Sequence, residues 1–323
     1  MNPSTLLVSH PDCVQHDTGP DHPESPKRLI SLLSAADEAI AEFDGRVTRI
    51  ECRHASEDEI ERVHPRSHIE RIRSAVQQAS ATQTRVFLDP DTVVSAGSWD
   101  AARAAAGSVI TAVDGLLNGE AENAFCALRP PGHHATADRA MGFCLFNNVA
   151  IGVRHALEQG LDRALVVDWD VHHGNGTEAI FYEDGDVYFI SMHQSPHYPG
   201  TGHTSHRGHG PGQGKTLNLP VPPGLPAVHY VKELKRGLAM AVANFKPGII
   251  FISAGFDAAY GDPLAGLTLG ADDFYALTRH VMEIAEKHSE NRVVSVLEGG
   301  YELDMLVDCS LAHIKALAGI DLS

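Results

Sequence analysis

Cysteine is scarce and unpaired in this chain. Among 323 residues there are five, Cys13, Cys52, Cys126, Cys144 and Cys309, an odd number with no C-x-x-C spacing. Neither a disulfide framework nor a thiolate metal site is expected, and a reducing, cytoplasmic setting is the natural one. Basic charge is also short: Lys+Arg number 25 against 42 for Asp+Glu, a formal net charge of -17. Such a surface is a poor partner for phosphate backbones, so no nucleic-acid binding is expected. No apolar run approaches bilayer-spanning length, and residues 1–10 lack the basic-then-apolar order of a secretory signal, so no membrane partner is expected either. Composition breaks, internal repeats and blocks of like charge are absent, and residues 1–323 read as a single domain. Oligomeric state is not legible.

What is present is a hydrophobic content of 43%, enough for a large core, and a generous supply of 20 histidines. Helix-period segments at 26–40, 99–117, 147–159, 227–245, 271–288 and 304–317 alternate with short apolar runs at 124–128, 164–167, 187–190, 248–253 and 293–297. Pro26 suits the first turn of the first helix, and Gly160 suits the position just past the third. Strands alternating with helices predict an α/β fold with a mostly parallel sheet covered on both faces. Residues 194–224, rich in Gly, Pro and His, read as one long functional loop. Within it, Gly210-Pro211-Gly212-Gln213-Gly214-Lys215-Thr216 imitates a phosphate loop, but His209 stands where that motif needs its first glycine. The following Leu217 to Pro223 cannot open a helix. His203, His206 and His209 read as solvated loop side chains rather than a second metal site.

Four of the apolar runs end in polar clusters: Arg129-Pro130-Pro131-Gly132-His133-His134, Asp168-Trp169-Asp170-Val171-His172-His173, Ala254-Gly255-Phe256-Asp257 and Glu298-Gly299-Gly300-Tyr301. Ligands of parallel α/β sheets bind beyond the carboxyl ends of strands, so the coincidence points to an active site. Side chains two apart on a strand share a face, which predicts that Asp168, Asp170 and His172 converge. Asp170, His172 and Asp257 are candidate ligands of a divalent ion with one position left open, as in catalytic zinc sites. His133 and His134 are candidate acid–base groups, Asp168 and Asn175 candidate partners that orient imidazoles, and Tyr301 a candidate hydrogen-bond donor to an oxyanion. Each has a plainer reading alone: a buried acid pair, a helix N-cap at Asp257, a loop histidine pair, an ordinary Gly-Gly-Tyr turn. Their joint arrangement favours the site.

Together these strings resemble the histone deacetylase family, particularly its class II and bacterial deacetylase-like members. Further matching strings are Gly142-Phe143-Cys144-Leu145-Phe146-Asn147-Asn148, Pro199-Gly200-Thr201-Gly202 and His22-Pro23-Glu24-Ser25-Pro26-Lys27-Arg28. The resemblance spans nearly the whole chain. It implies an arginase-like three-layer fold, with the parallel sheet between helices, and zinc at Asp170, His172 and Asp257, with ferrous iron as the alternative metal. It also implies that His134 is general base and acid, with His133 electrostatic and Tyr301 polarising the carbonyl. A structural K+ or Na+ would sit at Asp168, Ser191 and Met192, helped by the carbonyls of Asp170 and His172. Phe143, Tyr198, Leu264, Asp91 and Gly142 would line a substrate channel, and Arg28 would reach the inner pocket where acetate leaves.

The implied reaction removes acetyl, or a related short acyl group, from a lysine side chain or small amine. Asn175 replaces the acid of class I members, which implies a less strongly held His134. Leu264 follows Gly261-Asp262-Pro263 where polyamine-specific relatives carry an acid, which favours acyl-lysine over acetylpolyamine. A binuclear arginase-type ureohydrolase would want an Asp at position 174, occupied here by Gly174. A non-catalytic acyl-binding module is the remaining alternative, against which the intact His133, His134 and Tyr301 argue.

Overall fold

A computed structural model describes residues 5–322. The expectations for residues 1–10 and 1–323 touch residues 1–4 and 323, which lie outside the described residues. In chain order the elements are β1 (Thr5–Ser9), α1 (Pro26–Ala39), β2 (Val47–Glu51), α2 (Glu57–Glu61), α3 (Arg66–Thr82), β3 (Val86–Asp89), β4 (Thr92–Val94), α4 (Ser98–Leu117), β5 (Asn123–Cys126) and α5 (Asn148–Glu158). They continue with β6 (Ala164–Asp168), α6 (Asn175–Phe181), β7 (Val187–Gln194), β8 (Thr216–Val221), α7 (Ala227–Val242), β9 (Ile249–Ala254), α8 (Ala271–His288), β10 (Val293–Leu297) and α9 (Leu303–Leu317). Eight strands form one sheet in the order β2-β1-β5-β10-β9-β6-β7-β8, with every neighbouring pair parallel. β3 and β4 form a separate antiparallel hairpin.

The central strands β5, β6, β9 and β10 are buried along their whole length. Both of their faces are covered by helices, so they read as apolar runs rather than alternating ones. These four are also consecutive in the sheet, as β5-β10-β9-β6. The four polar clusters singled out in the sequence therefore lie side by side at one end of the molecule's centre. The expected helices form, with Pro26 at the start of α1 and Gly160 at φ +98 just past α5. A positive φ there is favourable only for glycine-like residues.

Several elements depart from the sequence reading. β7 runs four residues further than expected, to Gln194, and the supposed loop 194–224 contains β8. Pro220 disguised this strand. β8 is at one edge of the sheet, where a missing N–H costs no ladder bond. β2 is the other edge, and its exposed Thr48, Arg49 and Glu51 gave no apolar signal. Such charge discourages edge-to-edge pairing. α3 was also unread, although buried Ile69, Ile72, Val76 and Ala79 recur at helical spacing among polar residues. β1 is absent from the apolar runs read in the sequence, yet all five of its residues are buried. No helix among the described residues is long and apolar enough to cross a membrane.

A buried ionic network ties the segment before α1 to the ends of the central strands. Arg129, just past β5, grips Glu24 with two bonds of 2.5 and 2.6 Å. Its remaining donors go to the carbonyls of Cys13, His16 and Glu24. Arg28 donates to Glu24 at 3.0 Å, to the Gly300 carbonyl at 2.5 Å and to the Glu298 carbonyl at 2.6 Å. Burial alone would raise the Glu24 carboxyl, but the charge and hydrogen bonds of Arg129, with Arg28, override it and hold the group at about 2. A folded-state value below the unfolded one gives stability that is present above the unfolded value and is lost as pH falls towards 2. Glu24→Gln should cost about 3–5 kcal/mol, since it leaves two buried guanidiniums without a counter-charge. It should also flatten the acid limb of stability between roughly pH 5 and pH 2. Urea titration across that range checks both.

Candidate active site

β6 ends at Asp168, and the chain then turns. Asp170 and His172 lie in this irregular turn rather than on the strand. The two-residue alternation predicted from the sequence therefore stops at Asp168, two residues before the first metal candidate, and it is the turn that brings the candidates together. Asp257, just past β9, meets them there. His172 Nδ1 stands 3.1 Å from Asp170 Oδ1 and 3.1 Å from Asp257 Oδ2. Ligand atoms of all three residues lie within 4.8 Å of one another. Backbone amides fix the carboxylates: Gly299 N–H donates to Asp170 Oδ2 at 2.8 Å, and Val171 N–H to Asp257 Oδ1 at 2.9 Å.

The donor set fits a divalent cation. The ion-pair partners of Asp168, Asp170 and Asp257 are all imidazoles, with no Lys or Arg among the described pairs. Burial opposes charge on His172, yet its bonds to Asp170 and Asp257 push it up to about 10. Burial and the neighbouring Asp170 push Asp257 up to about 7. Buried carboxylates this close demand positive charge, and one nitrogen with two carboxylate oxygens is a ligand set that suits zinc.

The tandem histidines differ in their partners. His133 pairs through Nδ1 with Asp168 Oδ2 at 3.0 Å. His134 pairs through Nδ1 with Asn175 Oδ1 at 2.7 Å. Burial disfavours charge on both. For His133, Asp170 and Asp168 outweigh burial and hold the imidazole well above its usual range. For His134, burial and the charges of His133 and His172 hold it well below. The amide oxygen of Asn175 can only accept, so His134 carries its proton on Nδ1 and keeps a basic Nε2.

A cavity of about 200 Å³ opens onto these groups, lined by His134, His172 and Tyr301 together with Phe143, Tyr198, Leu264, Asp91 and Gly142. All five channel candidates thus meet the catalytic candidates in one place. Tyr301 packs edge-on against Phe143 and beneath the Arg28 guanidinium, and its N–H donates to Asp262 Oδ2 at 2.8 Å. Burial raises its phenol well above the ordinary value, which keeps it a donor. Arg28 is itself fully buried behind Tyr301, in the network already described. Of the monovalent-cation candidates, Asp168 pairs with His133 and faces Ser191 in the β6–β7 register, and the Met192 carbonyl accepts from Tyr230 Oη at 3.2 Å.

Three contributors were missed. His197 stacks on His172 with centroids 4.8 Å apart and meets the Leu264 carbonyl at 2.8 Å. Its place beside Tyr198 was the only sequence signal. Glu298 accepts from the N–H of Gly132 and of His133 and so holds the histidine turn. Asp262 anchors Tyr301. Both acids stood inside the quoted strings without a role. The loop histidines are apart from the site, with His203 and His209 exposed and His206 paired to Glu178.

Two glycines set the limits of the site. At Gly174 a Cβ would stand 2.0 Å from Asp168 Oδ2, so no side chain fits there. At Gly142, with φ +55, a Cβ would stand 2.4 Å from the His134 ring. Gly142→Ala should displace that ring and lower turnover by roughly 100-fold, because misplacement on the order of 1 Å has that effect. Metal content should be unchanged. Steady-state kinetics with elemental analysis distinguish this from loss of the ion.

With the geometry established, similarity to known proteins is informative. The histone deacetylase domain family matches residues 22–317. A probable deacetylase of Archaeoglobus fulgidus is 40% identical over 321 residues, which cover 99% of this chain and 88% of that protein. A histone deacetylase-like amidohydrolase of Pseudomonas aeruginosa is 38% identical, covering 98% and 82%. The crystal structure of the HDA15 HD domain superposes with a TM-score of 0.92 at 33% identity, covering all of this chain and 90% of that one. The α/β architecture is therefore the arginase-like fold of deacetylase domains, and the chain belongs to the histone deacetylase family.

Proposed function

We propose that this deacetylase-family chain is a zinc-dependent amidohydrolase that removes acetyl or short acyl groups from lysine side chains, working as one domain across residues 1–323. The observation that carries this reading is that one narrow cavity opens onto His134, Tyr301 and His172, the last of these a member of the Asp170–His172–Asp257 triad. Zinc held by that triad would act as a Lewis acid towards the amide carbonyl and the attacking water. Ferrous iron could take the same ligands.

His134 does the proton work. Its Nε2 takes the proton of the attacking water, and the Asn175 bond to Nδ1 keeps the ring aligned. Tyr301 Oη donates a hydrogen bond to the carbonyl oxygen as charge develops on it. His133, held charged by Asp168 and Asp170, lowers the potential of the developing anion. His134 then returns its proton to the leaving amine. Phe143 and Tyr198 flank the aliphatic part of the substrate, and Asp91 stands at the channel as an acceptor for substrate N–H groups. Asp168, Ser191 and Met192, with K+ or Na+, would stiffen the turn beneath the triad.

The alternatives are weaker. A ureohydrolase needs a second metal ligand at position 174, where there is no room for one. A non-catalytic acyl-binding module would have no need of the distinct His133 and His134 environments. For acetylpolyamines, Leu264 offers no charge to a distant ammonium. Five free, buried cysteines support a cytoplasmic location.

His134→Ala should lower turnover by about 10²–10⁴-fold and Tyr301→Phe by about 10²–10³-fold, both retaining zinc. A fluorogenic acetyl-lysine peptide and elemental analysis test this; parental turnover in either variant refutes the assigned roles. On zinc-loaded enzyme, kcat/KM for an acetyl-lysine peptide should exceed that for acetylputrescine and acetylspermidine. Leu264→Glu should shift the ratio towards acetylspermidine by roughly fivefold, equivalent to about 1 kcal/mol. A parental preference for acetylspermidine overturns the lysine assignment.

A further inference from the structure

Away from the active site, the ends of β1 and β2 carry a second cluster of metal-liking side chains. These two strands close one flank of the sheet, and β5 and β10 separate them from β9 and β6. His10 follows β1 directly, Asp12 lies in the short 3-10 turn Pro11–Gln15, and His54 stands beyond β2. Parallel pairing of β1 with β2 brings these distant positions together. His54 Nε2 is 2.8 Å from Asp12 Oδ2, and His10 Nδ1 is 3.5 Å from the same oxygen. The two rings have centroids 4.7 Å apart, and ligand atoms of all three residues lie within 4.8 Å of one another. Tetrahedral ligands with bonds of about 2.1 Å stand about 3.4 Å from each other, close to this spacing.

A second observation concerns the tautomer of His10. The Asp12 N–H donates to His10 Nδ1 at 3.1 Å, so that nitrogen is unprotonated and its lone pair is held by a backbone N–H that an ion would displace. On the opposite edge of the ring, Glu51 Oε1 lies 3.5 Å from Nε2. A carboxylate behind the ring favours Nε2–H and is the usual companion of a metal-ligating histidine. His10 therefore already has the tautomer that ligation through Nδ1 requires, and an ion would take the place of the Asp12 N–H on that nitrogen. The side chains of His10, Asp12 and His54 are 14%, 34% and 27% exposed, so an ion can enter and water can complete its shell.

We propose that His10, Asp12 and His54 form a second divalent-metal site, suited to zinc, cobalt or nickel, with Glu51 orienting His10. Two imidazoles and a carboxylate are ligands of that borderline character, rather than the all-oxygen set of calcium or magnesium. The ion joins the end of β1 to the segment after β2 and so fastens an edge strand with little apolar burial of its own.

The test is metal content of the full, untagged chain after equilibration with micromolar zinc and removal of the free ion. The parent should hold one equivalent more than His54→Ala and one more than His54→Gln. Both variants should keep acetyl-lysine turnover within about twofold of the parent, since none of these residues touches the catalytic cavity. The same difference should recur with cobalt, seen as an added visible absorption in the parent alone. Equal metal content in parent and variants overturns the site and leaves the His54–Asp12 contact as a simple ion pair. The readout is a difference of one ion, so it stands or falls separately from the zinc assigned to Asp170, His172 and Asp257.

Discussion

Buried negative charge at the ends of three adjacent strands is the constraint around which this molecule is organised. Asp168, the last residue of β6, and Asp170, Asp257 and Glu298, in the turns that follow β6, β9 and β10, are each essentially fully removed from water. A parallel sheet sends all its strand ends the same way, so these acids cannot avoid one another. Isolated carboxylates would not tolerate such burial. Backbone amides from Val171, Gly132 and Gly299 satisfy some of their oxygens, and the imidazoles of His133 and His172 satisfy others. What is left over is a demand for positive charge at a single point, between Asp170 and Asp257.

The tandem histidines turn that field into two different chemical groups. A carboxylate behind His133 and an amide behind His134 lead neighbouring rings, 4.0 Å apart at their centroids, to opposite protonation tendencies. Had both faced acids, both would be drawn towards the charged form, and their mutual repulsion would rise. The sequence cue to Asn175 as a distinguishing residue thus acquires a physical meaning: it separates the basic nitrogen from the fixed cation beside it.

Support for the site comes from far along the chain. Arg28 in α1 holds the carbonyls of Glu298 and Gly300, and so shapes the loop that presents Tyr301. The same arginine shares Glu24 with Arg129 after β5. Three residues, contributed before α1, within it and after β5, thereby lock the floor of the cavity from behind, with no water needed between them. On the open side, Asp91 and Thr92 of the β3–β4 hairpin accept from Gly142 and Phe143 N–H, which keeps Phe143 at φ +68 against the channel.

The central strands, most helices and the chemistry of the metal candidates were legible in the sequence. Apolar runs at β5, β6, β9 and β10 each end in polar residues, and that ordering along the chain is a local property. The edge strands β2 and β8 were hidden for an equally local reason, since their exposed charges and Pro220 erase the apolar pattern. α3 was legible but obscured by its polar residues. Sequence alone therefore determined which residue types sit at strand ends and that an ion would suit them. The tertiary structure decided which strand lies beside which, that a turn rather than strand alternation joins Asp170 to His172, and that His197, Asp262 and the Glu24 network enclose the site. Those outcomes depend on contacts between segments up to hundreds of residues apart, and backbone pairing order, not local propensity, sets such distances.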